Sequence, residues 1–215
     1  MPSNSKLVHW VVWGGLAVVI LAIGFAFVRE QSEAVETRFA KPELLVISQL
    51  SDFTLTNQLD QPVGLARFAE KVWFADIIFT RCPGPCPAMT QRMAELQAHF
   101  AGKPDVAFAT LTTDPAHDTP KVMQRFAKRF GADDERWQFL TGAKPEIVRL
   151  AVDGMKLIVR EKSLGEQATP DDLFIHATIF VAIDRQGRLR GVIESMEDGW
   201  KEKAIAIANA LLNES

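Results

Sequence analysis

The chain has no tyrosine, and only two cysteines and four histidines among its 215 residues. Two cysteines cannot build a disulfide scaffold. Basic residues are also in short supply, with 24 Lys and Arg against 27 Asp and Glu and a formal charge of -3. No basic stripe runs along the chain, which argues against nucleic acid as a partner. There are no internal repeats and no low-complexity segments. The lack of tyrosine by itself excludes no class of function. What is present is apolar: 47% of the residues, enough for a real core.

One stretch lacks charge altogether. From Trp10 to Val28 the sequence reads WVVWGGLAVVILAIGFAFV, close to the roughly 20 residues that span a hydrocarbon core. Lys6 and the terminal amine precede it, and Glu30 and Glu33 follow Arg29. The positive-inside bias then leaves residues 1–9 in the cytoplasm, 10–28 as a retained single-pass anchor and the remainder outside. A cleaved signal peptide is the competing reading, with Gly24 to Ala26 as a poor cleavage site inside the apolar run. A buried core helix is the third. Residues 29–45 are polar and read as a tether, which leaves 46–215 as one domain.

Within that domain the pattern is α/β. Phe53 to Leu65 alternates around a turn at Asp60 to Pro62 and predicts a β-hairpin. Lys71 to Thr80 is a near-continuous apolar run, expected for a central strand buried on both faces. Pro87 opens a helix with a stripe of Met89, Met93, Leu96 and Phe100, and Gly102 closes it. Asp105 to Thr113 predicts a second buried strand. Pro120 starts a helix with Val122, Phe126 and Phe130 on one face. A short strand (WQFLTG), a third helix (KPEIVRLAVDGM), a hairpin from Ala177 to Glu194 and a terminal amphipathic helix follow. Parallel strands need helical crossovers, so the order implies an α/β sandwich closed by an antiparallel hairpin. A strand running straight into Cys-x-x-x-Cys and a helix is the arrangement of thioredoxin-like folds.

Both cysteines lie in FTRCPGPCPAMT, at the carboxyl end of the predicted central strand, where α/β sheets place ligand sites. Cys82 and Cys86 can close a small disulfide ring or converge on one ion. Cys86 is expected at a helix N-terminus, where the macrodipole favours thiolate, and Arg81 is expected to act in the same sense. Two thiolates make an incomplete metal site, so a third ligand is expected. His9 lies beside the anchor, and His99 lies about 20 Å along the helix from the motif. His117 follows the second strand and could face the site. His176 precedes the strand ATIFVAI in an apolar context, where an unpaired imidazole is costly. His176, His117 and a core histidine with a backbone partner all stay open on this reading. Two thiolates and an imidazole suit Cu(I), whereas Cu(II) or zinc would want a fourth ligand. Met89 could add a thioether but fits the buried stripe better.

The segment TTDPAHDTP, Thr112 to Pro120, ends the neighbouring parallel strand and so opens on the same edge of the sheet. Asp118 or Thr119 is placed to cap the helix that begins at Pro120. A sharper reading makes Asp114 and Asp118 an acidic layer behind the site or a rim that recognises a partner.

Taken together, CPGPCP, DPAHDTP, a single His before a TIFVAID-RQGR hairpin and one N-terminal anchor resemble the Sco/SenC family of copper chaperones. The resemblance covers roughly Leu50 to Asn213. It implies a thioredoxin-like domain held to the inner membrane and facing the periplasm, or the mitochondrial intermembrane space. It implies copper, Cu(I) or Cu(II), on Cys82, Cys86 and His176, and a redox disulfide between Cys82 and Cys86. It further implies delivery to the copper-receiving subunit of cytochrome c oxidase, at its dinuclear copper centre, with an upstream copper donor and a thiol reductant as partners. The alternative is a thiol–disulfide oxidoreductase that keeps the oxidase cysteines reduced, or a redox sensor. The segment Ile175-His176-Ala177 lacks the proline that thioredoxin-like reductases usually carry there, which favours metal binding. A peroxidase is disfavoured, since the expected resolving thiol and arginine pattern is not evident.

Overall fold

Seven consecutive residues, Val72–Ile78 (β4), are buried without exception, and the fold is arranged around them. The computed structural model describes Trp10, residues 13–16, 21–24, 44–167 and 174–214; for Leu164 and Phe174–His176 it describes the backbone alone. The chain divides into two units, Met1–Glu43 and Leu44–Ser215. In the first, Trp10, 13–16 and 21–24 are helical. Among the described residues no helix is long and apolar enough to cross a membrane. Most of the expected anchor at 10–28, all of 1–9 and nearly all of the tether lie outside the described residues.

The second unit opens with Ser48–Gln49 (β1), then a small hairpin of Leu55–Thr56 (β2) and Pro62–Val63 (β3). Asp60 takes a positive φ of 60° in the turn, and Asn57 Oδ1 accepts the Leu59 and Gln61 amides. These bonds close the turn at the place the Asp-Gln-Pro sequence marked. The remaining elements are Cys86–His99 (α1), Val106–Thr112 (β5), Pro120–Arg129 (α2), Trp137–Leu140 (β6), Lys144–Val148 (α3), Val159–Glu161 (β7), Phe174–His176 (β8), Ile179–Ile183 (β9), Arg188–Glu194 (β10) and Trp200–Leu212 (α4).

The six-stranded sheet runs β1-β10-β9-β4-β5-β6. Strands β4, β5 and β6 are parallel, while β9 is antiparallel to β4 and β10 antiparallel to β9. Ile78 lies opposite Thr112, so the cysteine motif and the Asp-Pro segment leave the sheet side by side. Because β9 opposes β4, the chain from His176 joins the sheet at that same edge. The side-chain alternation of β4 separates two cores. Val72, Phe74 and Ile78 pack with α1, α2 and α4 through Met89, Met93, Phe126 and Leu211. Trp73, Ala75 and Ile77 pack with the first hairpin and α3 through Leu55, Val63, Ile147 and Leu150. Each fully buried Leu, Met or Phe on these faces contributes about 1.5–3 kcal/mol relative to exposure.

Three local expectations change. The buried face of α2 is Met123, Phe126 and Ala127, with Val122 and Phe130 only half-buried. The helix is rotated by one position because Met123, not the β-branched Val122, fills the space against the sheet. The third helix is α-helical only to Val148 and then continues as a π-turn over Arg149–Gly154. Finally, β7 and β8 form a separate two-stranded hairpin, with Val159 opposite His176. No alternating pattern announced it.

Candidate dithiol site at the β4–α1 turn

The buried strand β4 delivers Phe79 and Thr80 to the sheet edge, where the chain turns. The Cys82 amide donates to the Phe79 carbonyl at 3.1 Å, and the Gly84 amide to Cys82 Sγ at 3.4 Å. Pro85 takes the residue position before the helix, with φ -74° and ψ -20°, and its carbonyl accepts the Met89 amide at 2.9 Å. Pro87 sits in the first turn, where a missing N–H costs nothing. The result is asymmetric. Cys86 is fully buried at the start of α1, and Cys82 is half-exposed in the turn. The two are not joined by a disulfide; the Cys86 thiol is hydrogen-bonded to Cys82.

The expectation that the helix N-terminus favours a Cys86 thiolate does not hold. Burial pushes the Cys86 thiol well above its usual range, the hydrogen bond and charge of Cys82 push the same way, and a backbone bond with Phe79 opposes them weakly. Asp76 adds to the rise. It sits fully buried on β4, on the face shared by Phe74 and Ile78. The apolar run KVWFADIIFT contained this one acid as a signal, and it was passed over. A dipole contributes a fraction of a charge; withdrawing a whole thiolate from water costs more.

Arg81 forms an ion pair at this edge. Its Nη2 lies 2.7 Å from Asp114 Oδ2, with the arginine side chain 36% exposed and the aspartate 10%. Asp114 thus stands at the cysteine edge, as expected, with Arg81 as its partner. Asp118 differs from both expectations. It is 0% exposed and cannot form a rim. Thr119 occupies the capping position of α2 but makes no side-chain cap bond. Asp118 instead accepts the Thr80 amide on Oδ2 at 3.0 Å, the Thr80 hydroxyl on Oδ1 at 2.5 Å and the Thr112 hydroxyl on Oδ2 at 2.5 Å. It ties the ends of β4 and β5 together. Thr112 closes β5 and Thr80 follows β4 by two residues, and nothing in their local sequence marks either as a partner of Asp118.

The remaining candidates separate clearly. Met89 is fully buried in the core. His99 packs against Phe100 at the far end of α1, with ring centroids 4.9 Å apart. His117 is exposed, with its amide on the Asp114 carbonyl. His9 lies outside the described residues. The backbone of His176 runs along β8 and is continued by Ala177, whose amide donates to Ile158 at 3.1 Å. Its imidazole lies outside the described side chains. Among the described residues no three His, Cys or acidic side chains are arranged to hold a metal, so the structure assembles the thiol half of the expected ligand set. A further tie crosses the edge: Arg92 of α1 donates to the Ser195 carbonyl, and Ser195 donates its amide and hydroxyl to the Thr178 carbonyl.

Three parallel strands flanked by an antiparallel pair, with helices on both faces and a dithiol where the central strand turns into a helix, define a thioredoxin-like α/β domain. The model of the SCO1/SenC family matches residues 46–212. The chain is 35% identical over 143 residues to the SCO1 protein homolog of Bacillus subtilis (strain 168), covering 66% of this chain and 71% of that one. The chain therefore belongs to the SCO1/SenC family. Among solved structures it resembles a SCO1/SenC family lipoprotein from Bacillus anthracis str. Ames, with TM-score 0.70 and 31% identity over 80% of this chain and 99% of that one. It also resembles BsSco, described as a member of the Sco family of cytochrome c oxidase assembly proteins with a disulfide switch; the TM-score is 0.66 and the identity 28%, over 78% and 95% of the two chains. Copper-bound ScoI of Bradyrhizobium japonicum shares the fold at TM-score 0.63 and 22% identity, over 77% of this chain and 100% of that one.

Proposed function

We propose that the protein is a membrane-tethered copper carrier that loads cytochrome c oxidase during assembly. The observation that supports this most directly is the hydrogen-bonded pair of thiols, Cys82 and Cys86, at the open edge of the sheet. Two soft donors held together suit a thiophilic ion, and copper would replace the proton that burial otherwise retains on Cys86. His176 is the proposed third ligand, carried into the same edge by β8. Three ligands at an exposed edge favour release over storage, because a structural site would be closed and fully coordinated. The charge-free run at 10–28 supports a retained single-pass anchor, with residues 1–9 in the cytoplasm and the domain in the periplasm. The ion would pass to the copper-receiving oxidase subunit, and a thiol reductant would restore the emptied pair. Related proteins described as oxidase assembly factors, or solved with copper bound, support the assignment.

Copper titration of the reduced full chain in detergent tests it. One copper per chain is expected, and none after Cys82 and Cys86 are oxidised to the disulfide. Stoichiometric copper on the fully oxidised protein would refute the carrier.

A second reading, a thiol–disulfide oxidoreductase, is favoured by one specific observation. Cys82 is half-exposed and Cys86 buried, the division expected of an attacking thiol and a resolving one. Complementation separates the two. If His176→Ala restores oxidase assembly and added reductant rescues a null strain better than added copper, the oxidoreductase is correct.

A further inference from the structure

The two thiols of the pair are held by different means. Cys86 begins α1, and α1 is fixed by burial of Met89, Met93 and Leu96 in the core. Cys82 is held differently: it is half-exposed in the turn with Pro83, Gly84 and Pro85, packs only partly against the same core, and has its amide on the Phe79 carbonyl at 3.1 Å. On the strand side Arg81 is paired with Asp114, and Thr80, two positions before Cys82, is held by Asp118. Both carboxylate oxygens take part, Oδ2 with the Thr80 amide at 3.0 Å and Oδ1 with its hydroxyl at 2.5 Å. Thr112 holds the same carboxylate from β5 at 2.5 Å, and the Asp118 amide is itself fixed on the Asp114 carbonyl at 2.8 Å. Asp118 is fully buried, and among the described residues no cation pairs with it.

A buried carboxylate is a costly way to hold a turn. What it adds over a neutral acceptor is shorter and stronger bonds with fixed direction. Here both bonds to Thr80 aim at the segment that places Cys82.

We propose that Asp118 is a positioning residue for the dithiol, acting through Thr80 to hold Cys82 within reach of Cys86. The inference rests on the reading that Cys82 and Cys86 are the working thiols, and it assigns Asp118 no contact with the cargo. Closing the ring demands a specific sulfur–sulfur geometry. A turn latched at Thr80 meets that demand at less entropic cost than a loose one. Loosening the latch therefore disfavours the disulfide relative to the dithiol.

The test is the equilibrium of the metal-free full chain in detergent with glutathione buffers. Cys82 and Cys86 thiols plus one glutathione disulfide give the protein disulfide plus two glutathiones, and alkylation of the remaining thiols reads the ratio. Asp118→Asn and Thr80→Val are each expected to lower the equilibrium constant about tenfold, equivalent to about 30 mV for this two-electron couple. The double variant should fall no further than Asp118→Asn alone, since both act through one contact. Leu211→Ala, a core change in α4, should lower thermal stability and leave the constant alone. A constant that stays within about twofold of the parent, or rises, in either variant overturns the proposal, and so does an equal fall in Leu211→Ala. Should Asp118→Asn not fold, Thr80→Val decides alone, because it keeps the amide bond. The readout needs no metal, so an absence of copper binding refutes the carrier without touching this result.

Discussion

The β4–α1 turn and the β7–β8 hairpin carry the two halves of the proposed ligand set, and they are built differently. Behind the cysteines stands the most buried strand of the domain, every residue of β4 being enclosed. Among the described residues the hairpin that carries His176 forms a two-stranded sheet of its own, tied to α3 by the pair of Lys144 and Glu161. Its first strand runs from half-buried Val159 to exposed Arg160 and Glu161, and Ile158 before it is 68% exposed. Local polar contacts hold it: Arg160 pairs with Glu166 at 2.8 Å, and Ser163 and Glu166 form a reciprocal capping box. The thiol half therefore stands on a core, in which each change is felt, while the hairpin combines partial packing of Val159 and Ala177 against the second core with surface bonds that are individually weak. The proposed carrier would gain from that division, since a buried Cys86 can retain the ion while a ligand on the hairpin lets it go.

The largest test removes the firm half. Cys82→Ser or Cys86→Ser should abolish stoichiometric copper binding in an equilibrium titration, because a hydroxyl does not replace a thiolate for a soft ion. Retention of tight binding by either variant would place the site elsewhere. Next comes the light half. His176→Ala should weaken binding by about a hundredfold or more, beyond the 10–100-fold typical of losing an outer partner, whereas exposed His117→Ala should leave affinity nearly unchanged. Equal losses would mean that the loop after β5, not the hairpin, completes the site.

A third pair of variants asks whether stability and binding separate. Phe74→Ala opens the core and should cost about 3–5 kcal/mol of unfolding free energy. Arg160→Pro, opposite Ile175 in the hairpin register, should barely change the denaturation midpoint yet weaken copper binding about tenfold, at the low end of such supporting effects. A large loss of global stability in Arg160→Pro would show that the hairpin is part of the core unit after all.

The smallest effect is one of pH. Bonds from Arg160, and then from the Ser163 amide and hydroxyl, hold the Glu166 carboxyl down at about 2. An unfolded glutamate titrates at about 4.3. The folded value is the lower, so this contribution is complete at neutral pH and fades as the pH falls through about 4 towards about 2. Glu166 is fully exposed, so the loss should be local and sensitive to salt. Protection of the amides of residues 159–166, taken relative to the intrinsic exchange rate at each pH, should fall in that window, and Arg160→Gln should remove the pH step. Unchanged protection would show that the ion pair does not hold the hairpin.

Much of this architecture could be read from the chain alone. Long apolar runs marked β4 and β5, proline and glycine marked the limits of α1, and the alternation of Ala177 to Glu194 marked the final hairpin. In each case the signal and the element occupy the same few residues. The pairing of Cys82 with Cys86 was legible for the same reason, since four positions and one turn separate them. Other features depended on residues that meet only in the folded state. Asp118 reads as a helix cap until Thr80, 38 positions away, is found against it. The pairing of Arg81 with Asp114, 33 positions away, is likewise invisible until the chain is folded. Cys86 reads as an activated thiolate until the packing of α1 against the sheet determines how much water it loses. Sequence by itself determined the elements and the identity of the thiol pair, because periodicity and turn chemistry are local. Burial and charge pairing were decided by tertiary structure, because desolvation and Coulomb energy depend on which distant segments surround a group.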